Sequence, residues 1–249
     1  MDIDYSFVIP AHNEEAYLAG TLASVRRAMS SIATHRGEIV VTDNDSTDRT
    51  SEVATDGGAR VVFEEHRQIA RARNVGGHTA RGRYLIFLDA DTCIDAALLR
   101  STLAALDGGE VCGGGTLMQF DRPGFRALES VARGWNWLSR RLRWACGAYV
   151  FCHRQAFTET GGFDERYYAS EEIWFSRTLA RWGRARGMRF VILDEPIVTS
   201  ARKLEWFGLR GFFRMLFATL LRPGAIKRRD GCALWYTRPP EKPTEPPQV

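Results

Sequence analysis

The sequence predicts an α/β fold with a mostly parallel central sheet, and three observations carry that prediction. Short β-branched and aromatic runs alternate with amphipathic helical stretches, as in strand–helix–strand crossovers. One run, Tyr84-Leu85-Ile86-Phe87-Leu88, is apolar without a break and reads as a central strand buried on both faces. The strand-like runs end in polar residues, which would share one crevice at the carboxyl edge of such a sheet.

In chain order, Tyr5-Ser6-Phe7-Val8-Ile9 is a short first strand halted by Pro10. His12-Asn13-Glu14-Glu15 follows, with Asn13 placed to cap the next helix and both glutamates favourable at its positive end. Leu18, Leu22, Val25 and Met29 mark that helix by their spacing. A second strand, Glu38-Ile39-Val40-Val41-Thr42, runs into Asp43-Asn44-Asp45-Ser46-Thr47-Asp48-Arg49-Thr50, which is turn chemistry followed by a helix start. A third, Ala59-Arg60-Val61-Val62-Phe63, leads to a short helix spanning Gln68 to Gly77.

Asp89-Ala90-Asp91 closes the central strand. Two carboxylates so placed suit a hard divalent cation, Mg²⁺ or Mn²⁺, of the kind that holds a nucleoside diphosphate. The competing reading makes them caps of the helix implied by Ala96, Ala97, Leu98, Leu99 and Leu103. Downstream, Ile173, Phe175, Leu179 and Trp182 mark another amphipathic helix, which Ser170 could cap while Glu171 and Glu172 complement its dipole. Phe190-Val191-Ile192-Leu193 and Pro196-Ile197-Val198-Thr199 follow as extended segments.

Taken in order, six segments resemble the successive blocks of family-2 glycosyltransferases with the GT-A fold, over roughly residues 4–200. They are Val8-Ile9-Pro10-Ala11-His12-Asn13-Glu14-Glu15, Asp43 through Thr50, Ala72-Arg73-Asn74, Phe87-Leu88-Asp89-Ala90-Asp91, Gly161-Gly162-Phe163-Asp164-Glu165 and Ser170-Glu171-Glu172. The resemblance implies a GT-A-like (Rossmann-like) three-layer α/β/α fold. It also implies inverting transfer of a sugar from a nucleoside-diphosphate sugar to an acceptor hydroxyl, assisted by Mg²⁺ or Mn²⁺. On the donor side it implies Pro10 with Ala11, His12, Asn13 and Glu14, then Asp43, Arg73 with Asn74, and Asp89 with Ala90 and Asp91. Within that set Asp43 accepts from the base, although an Asx turn explains it equally well. Asp89 lies near ribose and metal, and Asp91 is the direct metal ligand. Glu172 falls at the catalytic-base position, where the family usually has Asp, so Glu171 stays open as the base.

Weaker candidates surround these. Gly147 and Ala148, with Trp137 and Arg202, are candidates for the acceptor or sugar pocket; Gly113-Gly114-Gly115 could likewise admit a ligand or form a bulge. Arg202 and Lys203 could close over a diphosphate or be ordinary surface charges. The histidines, His12, His35, His66, His78 and His153, show no zinc-like spacing, and none follows His153 to serve as a late metal ligand.

Composition bounds the reading. The chain has 249 residues, 45% of them hydrophobic, enough for one full core. The expected organisation is a domain over 1–237, divided into a nucleotide-sugar-binding half (1–120), an acceptor-binding half (121–203) and an amphipathic basic segment (204–237). A Pro-rich disordered tail follows over 238–249. Five cysteines without a C-x-x-C pair fit reduced thiols in a cytoplasmic protein. No leader is evident, and no run reaches the roughly 18 apolar residues that span a bilayer.

Charge is uneven beneath the formal +4. Arg126, Arg133, Arg140, Arg141 and Arg143 crowd one stretch against Glu129, with Leu128, Val131, Trp135, Leu138 and Leu142 at core-facing spacing and Trp137 and Trp144 on another face. Trp206 through Phe217 again mixes aromatics with arginine. Such stretches suit either a core-packing helix with a basic edge, or the inner face of a membrane and a lipid-linked acceptor. No nucleic-acid reader motif is present. UDP- and GDP-linked donors both remain open. Two other function classes also stand: a non-catalytic nucleotide-sugar-binding or membrane-docking module, and a nucleotidyltransferase, which would want a glycine-rich, lysine-bearing triphosphate loop that the N-terminal region does not show.

Overall fold

A computed structural model describes residues 3–122, 126–202, 206–208, 211, 224–232 and 236. The first half alternates as the periodicity predicts. It runs β1 (Tyr5–Ala11), α1 (Leu18–Ser30), β2 (Gly37–Asp43), α2 (Thr50–Asp56), β3 (Arg60–Phe63), α3 (Ile69–Thr79) and β4 (Tyr84–Leu88). The second half runs β5 (Thr92–Cys93), α4 (Ala96–Asp107), β6 (Val111–Phe120), α5 (Arg126–Leu142), β7 (Tyr149–His153), α6 (Arg154–Thr160), α7 (Glu171–Arg184) and β8 (Arg189–Thr199). Two short 3-10 turns, Ala225–Lys227 and Arg229–Cys232, follow. Most of the expected basic segment 204–237, including most of Trp206 to Phe217, and all of the tail 238–249 lie outside the described residues.

Eight strands form one sheet in the order β3-β2-β1-β4-β7-β6-β8-β5. Among these neighbours, β3, β2, β1 and β4 pair parallel, as do β6 and β8, while β7 runs antiparallel to both β4 and β6 and β5 antiparallel to β8. All five residues of β4 are buried, and their alternation explains why an unbroken apolar run is needed. Tyr84, Ile86 and Leu88 join the core beneath α1 and α4. Leu85 and Phe87 join the core on the other face, with Phe157 of α6 and Phe175 and Leu179 of α7. The layers are therefore helix, sheet and helix.

Topology places the site. The parallel strands β1, β2, β3 and β4 all end on one edge. Because β7 is antiparallel, its first residue, Tyr149, faces the last residue of β4, Leu88. The segment just before β7 is thus carried to the tip of β4, where the Asp89 amide donates to the Ala148 carbonyl at 3.2 Å.

Several local expectations change. Asn13 does not cap α1, whose N-cap is Tyr17 without a side-chain hydrogen bond. Instead Asn13 adopts φ 53°, and its Oδ1 accepts from the Thr47 amide at 2.7 Å. Asp89 and Asp91 do not cap α4 either: Asp95 does, accepting from the Leu98 amide at 2.8 Å. Ser170 sits left-handed at φ 61° with no side-chain capping hydrogen bond, a strained conformation for a residue with a Cβ. Gly113, Gly114 and Gly115 lie in β6 between its neighbours. A Cβ on Gly114 would collide with the Val191 carbonyl and come within 2.5 Å of the Phe151 ring, so close strand packing accounts for it. Leu142, expected in the core, is 43% exposed, because it ends α5 and the chain turns away at Arg143 with φ 54°.

Candidate active site

The loop after β1 and the loop after β2 are zipped together. The Glu14 amide donates to the Thr50 hydroxyl at 2.7 Å, the Glu15 amide to Asp48 at 3.1 Å, and the Asn13 amide to the Ser46 hydroxyl at 3.0 Å. Asn44 extends the lattice: its side-chain Nδ2 donates to the carbonyls of Glu64 and His66, and its Oδ1 accepts from the Gln68 amide. These bonds hold open a cleft of about 300 Å³ at the strand ends. Pro10, Ala11, His12, Asn13, Glu14, Asp89, Ala90 and Asp91 line it, as the sequence suggested for the donor side. His12 stays in place through a 2.9 Å contact between Nδ1 and the Asn44 carbonyl oxygen.

Other proposed donor residues sit elsewhere. Asp43 is buried, accepting from the Ser46 amide at 3.0 Å and from the Ser51 hydroxyl. That is the turn arrangement, and its neighbour Asn44 is the one that lines the cleft. Asn74 clamps the loop after α6: its Nδ2 donates to the Phe163 carbonyl at 2.9 Å, and its Oδ1 accepts from the Phe163 amide at 2.8 Å. Gly162, at φ 73°, leaves no room for a Cβ beside that Asn74 oxygen. Trp137 lies on the outer surface of α5, 68% exposed, and does not line the cleft.

Two buried arginines organise the acidic groups. Arg73, from α3, donates to Glu171 at 2.5 Å, to Asp89 at 2.8 Å and to the Gly147 carbonyl at 2.7 Å. Burial works against its charge, yet Asp89, Glu171 and Glu172 more than offset that and raise its pKa. Arg202, in the stretch after β8, reaches back to grip both oxygens of Glu14 at 2.6 Å and Asp91 Oδ2 at 2.9 Å. Its guanidinium also lies 4.6 Å from the Tyr17 ring centre. This makes Arg202 a buried member of the site, and the surface-charge reading of it falls.

The glutamate pair divides by environment. Glu171 is locked to Arg73, both side chains almost wholly buried. Glu172 has its carboxyl carbon beside Gly147, 3.4 Å from where a Cβ would be. Burial, reinforced by the charge of Glu171, pushes its pKa up to about 8. Such a carboxyl can take a proton near neutral pH. Cys146 next door is no competing nucleophile, since burial pushes its thiol up to about 12.

Metal fit rests on oxygen donors. Glu14, Asp89 and Asp91 bring carboxylate oxygens to the cleft wall, each already sharing a guanidinium with Arg73 or Arg202. Asp89 is 32% exposed and Asp91 10%. Asp91 Oδ1 meets the Thr92 hydroxyl at 3.5 Å, too long to hold it strongly. Among the described residues no group of three or more His, Cys, Asp and Glu side chains gathers as a metal site. The residues therefore fit a cation taken up through one or two carboxylates with further oxygens from a diphosphate.

Sequence reasoning missed part of the wall. Asn44, Arg67, Ile69, Ala72, Trp206, Arg229 and Tyr236 also line the cleft. Arg67 is tied to Asp45 at 2.8 Å, and the Tyr236 hydroxyl accepts from the Ile69 amide at 3.3 Å. Asn44 and Arg67 adjoin the polar strand ends and were within reach of the strand-end argument. The residues from Trp206 onward carried no local signal of where they fold.

Known proteins place this architecture. The S. aureus TarS 1-349 structure in complex with UDP-GlcNAc superposes with a TM-score of 0.64 at 20% identity, covering 80% of this chain and 59% of that one. The Pyrobaculum calidifontis mannosyltransferase PcManGT, in complex with GDP-Man and Mn²⁺, gives 0.64 at 17% identity over 95% of this chain and 71% of that one. At those identities the likeness is one of fold, and it bears out the GT-A-like expectation. In sequence, the validoxylamine A glucosyltransferase of Streptomyces hygroscopicus subsp. limoneus is 36% identical over 109 residues, 41% of this chain and 24% of that protein. The matched stretch spans about a quarter of the length of the curated relatives. The model of the family described as glycosyl transferase family 2 matches residues 6–161, more than half of the 249, and the chain belongs to that family.

Proposed function

We propose that this protein transfers a sugar from a nucleoside-diphosphate sugar to an acceptor hydroxyl, with inversion, and that Glu172 is the general base. The observation that carries the reading is the meeting of Asp89, Arg73, Gly147 and Glu172 at the tip of β4, beside a cleft lined by Asp91. Solved relatives by fold hold UDP-GlcNAc in one case and GDP-Man with Mn²⁺ in another, which supports a nucleotide-sugar donor and leaves the base open.

In this scheme the acceptor oxygen forms a bond to the anomeric carbon on the face opposite the diphosphate. Glu172 takes the hydroxyl proton as that bond forms, and the bond from the anomeric carbon to the phosphate oxygen breaks. A raised pKa makes Glu172 a stronger base than a solvated glutamate, which suits a poorly acidic hydroxyl. Glu171 holds Arg73, and Arg73 in turn sets Asp89 and the Gly147 backbone, so Glu171 positions rather than reacts. Asp91, with Asp89, would hold Mg²⁺ or Mn²⁺, which when bound neutralises charge on the departing diphosphate. Arg202 already occupies one oxygen of Asp91; it stands where it can pass its guanidinium to a phosphate oxygen as donor arrives.

The test is a pair of variants. Asp91→Ala is expected to abolish metal-dependent donor binding by calorimetry. Glu172→Gln is expected to bind donor as before and to lose transfer by about a hundredfold or more. Transfer retained in Glu172→Gln would move the base elsewhere. Donor binding with neither transfer nor hydrolysis in the unaltered protein would make it a binding module, and pyrophosphate release from a nucleoside triphosphate would make it a nucleotidyltransferase.

A further inference from the structure

The outer face of α5 takes no part in the cleft, and it is unusually composed. Leu128, Ala132 and Ser139 turn inward and are buried. Asn136 anchors the helix to β6, donating to the Met118 carbonyl at 3.0 Å and accepting from its amide at 3.0 Å. At helical spacing, Arg126, Arg133, Trp137, Arg140 and Arg141 then fall on one outward stripe. Arg126, Arg133, Arg140 and Arg141 are exposed, and Trp137, between them, is 68% exposed. Arg140 meets the exposed Asp194 at 2.5 Å, a surface pair of small worth. Arg126, Arg133 and Arg141 have no carboxylate partner among the described residues.

We infer that this face of α5 docks on an anionic lipid bilayer. A stripe of four exposed arginines, three of them without a carboxylate partner among the described residues, outweighs Glu129 at its edge and complements acidic headgroups, and a lone indole at its centre is the side chain that settles at the headgroup level. The helix would lie in the interface over its length of about 25 Å. No helix among the described residues is long and apolar enough to cross a membrane. Docking also keeps the corner where Gly147 meets Glu172 close to the surface. Leu142 ends α5, and the chain to Gly147, beside Glu172, can extend at most about 18 Å. On the function proposed above, the acceptor hydroxyl would then be presented from the bilayer side.

Sedimentation of the full chain with vesicles tests this without donor or metal, so its outcome is independent of sugar transfer. Vesicles of phosphatidylcholine alone are compared with equal parts phosphatidylcholine and phosphatidylglycerol. Binding to the anionic vesicles only is expected. Arg133→Ala with Arg141→Ala is expected to weaken it by about 25-fold, near fivefold for each charge, and Trp137→Ala to weaken it clearly. Removing two exposed arginines of α7, Arg181→Ala with Arg184→Ala, is expected to cost little. Equal binding to neutral vesicles, no binding to either, an unchanged Trp137→Ala variant, or an equal loss in the α7 control would each overturn the proposal. Circular dichroism on each variant separates lost docking from lost fold.

Discussion

Glu172 carries a pH consequence of its own. Its folded pKa, about 8, lies above the ordinary glutamate value of 4.5, so the folded state holds the proton more tightly than the unfolded one. The stability this group contributes is fully present below about 4.5 and is lost as pH rises through about 8. Urea midpoints taken from acid to alkaline pH should fall over that window, and Glu172→Gln should flatten the fall. The same group predicts that kcat/KM for the unbound enzyme rises with pH to a limb near 8, absent from any residual activity of the glutamine variant. Arg202 makes the opposite kind of prediction. Removing it leaves Glu14 and Asp91 buried without their shared cation, and Arg202→Ala should destabilise by about 3–5 kcal/mol. A loss below 1 kcal/mol, roughly what an exposed pair is worth, would show that the guanidinium is not holding those carboxylates in solution. At this scale Asp89, Asp91 and Arg73 were legible because each sits in a short local pattern. The bond from Arg202 to Glu14 spans 188 positions, and no local pattern records it.

Single elements behave as their periodicity says wherever one face is dry. β4 is apolar at every position because cores lie on both sides of it. α5 has its apolar stripe inward and its arginines outward, as the spacing required, except at its last turn. Three glycines in β6 were ambiguous in sequence, since glycine serves ligands and tight strand packing alike. Packing is the answer here: Gly115 would place a Cβ 2.5 Å from that of Ala145, and Gly114 has no space toward β8 or Phe151. Gly114→Ala should therefore lower stability by about 1–3 kcal/mol, read as a lower thermal midpoint, with donor affinity unchanged in the fraction that remains folded. A midpoint equal to that of the unaltered protein would mean the strands can part at no cost.

Across the whole molecule the cleft joins residues from both halves of the chain, with Arg229 and Tyr236 added from its C-terminal region. Ligand binding should then stabilise the protein globally. With Mn²⁺ and a matching UDP- or GDP-sugar together the thermal midpoint should rise, by an amount that grows with the logarithm of donor concentration above its Kd. Mn²⁺ alone, with few protein ligands to hold it, should do much less, and chelation should erase the gain. An equal rise with donor in the presence of chelator would remove the cation from the account.

Strand–helix alternation, the acidic pair at the tip of β4 and the arginine–tryptophan stripe of α5 are all written locally, because periodicity and turn chemistry act over a few residues. Which glutamate is locked and which is proton-avid was not so written. That distinction arises because antiparallel β7 brings Gly147 to the end of β4, Arg73 reaches across to Glu171, and burial leaves Glu172 beside them with its charge disfavoured. Coulomb and desolvation energies depend on distances that exist only once the sheet has closed.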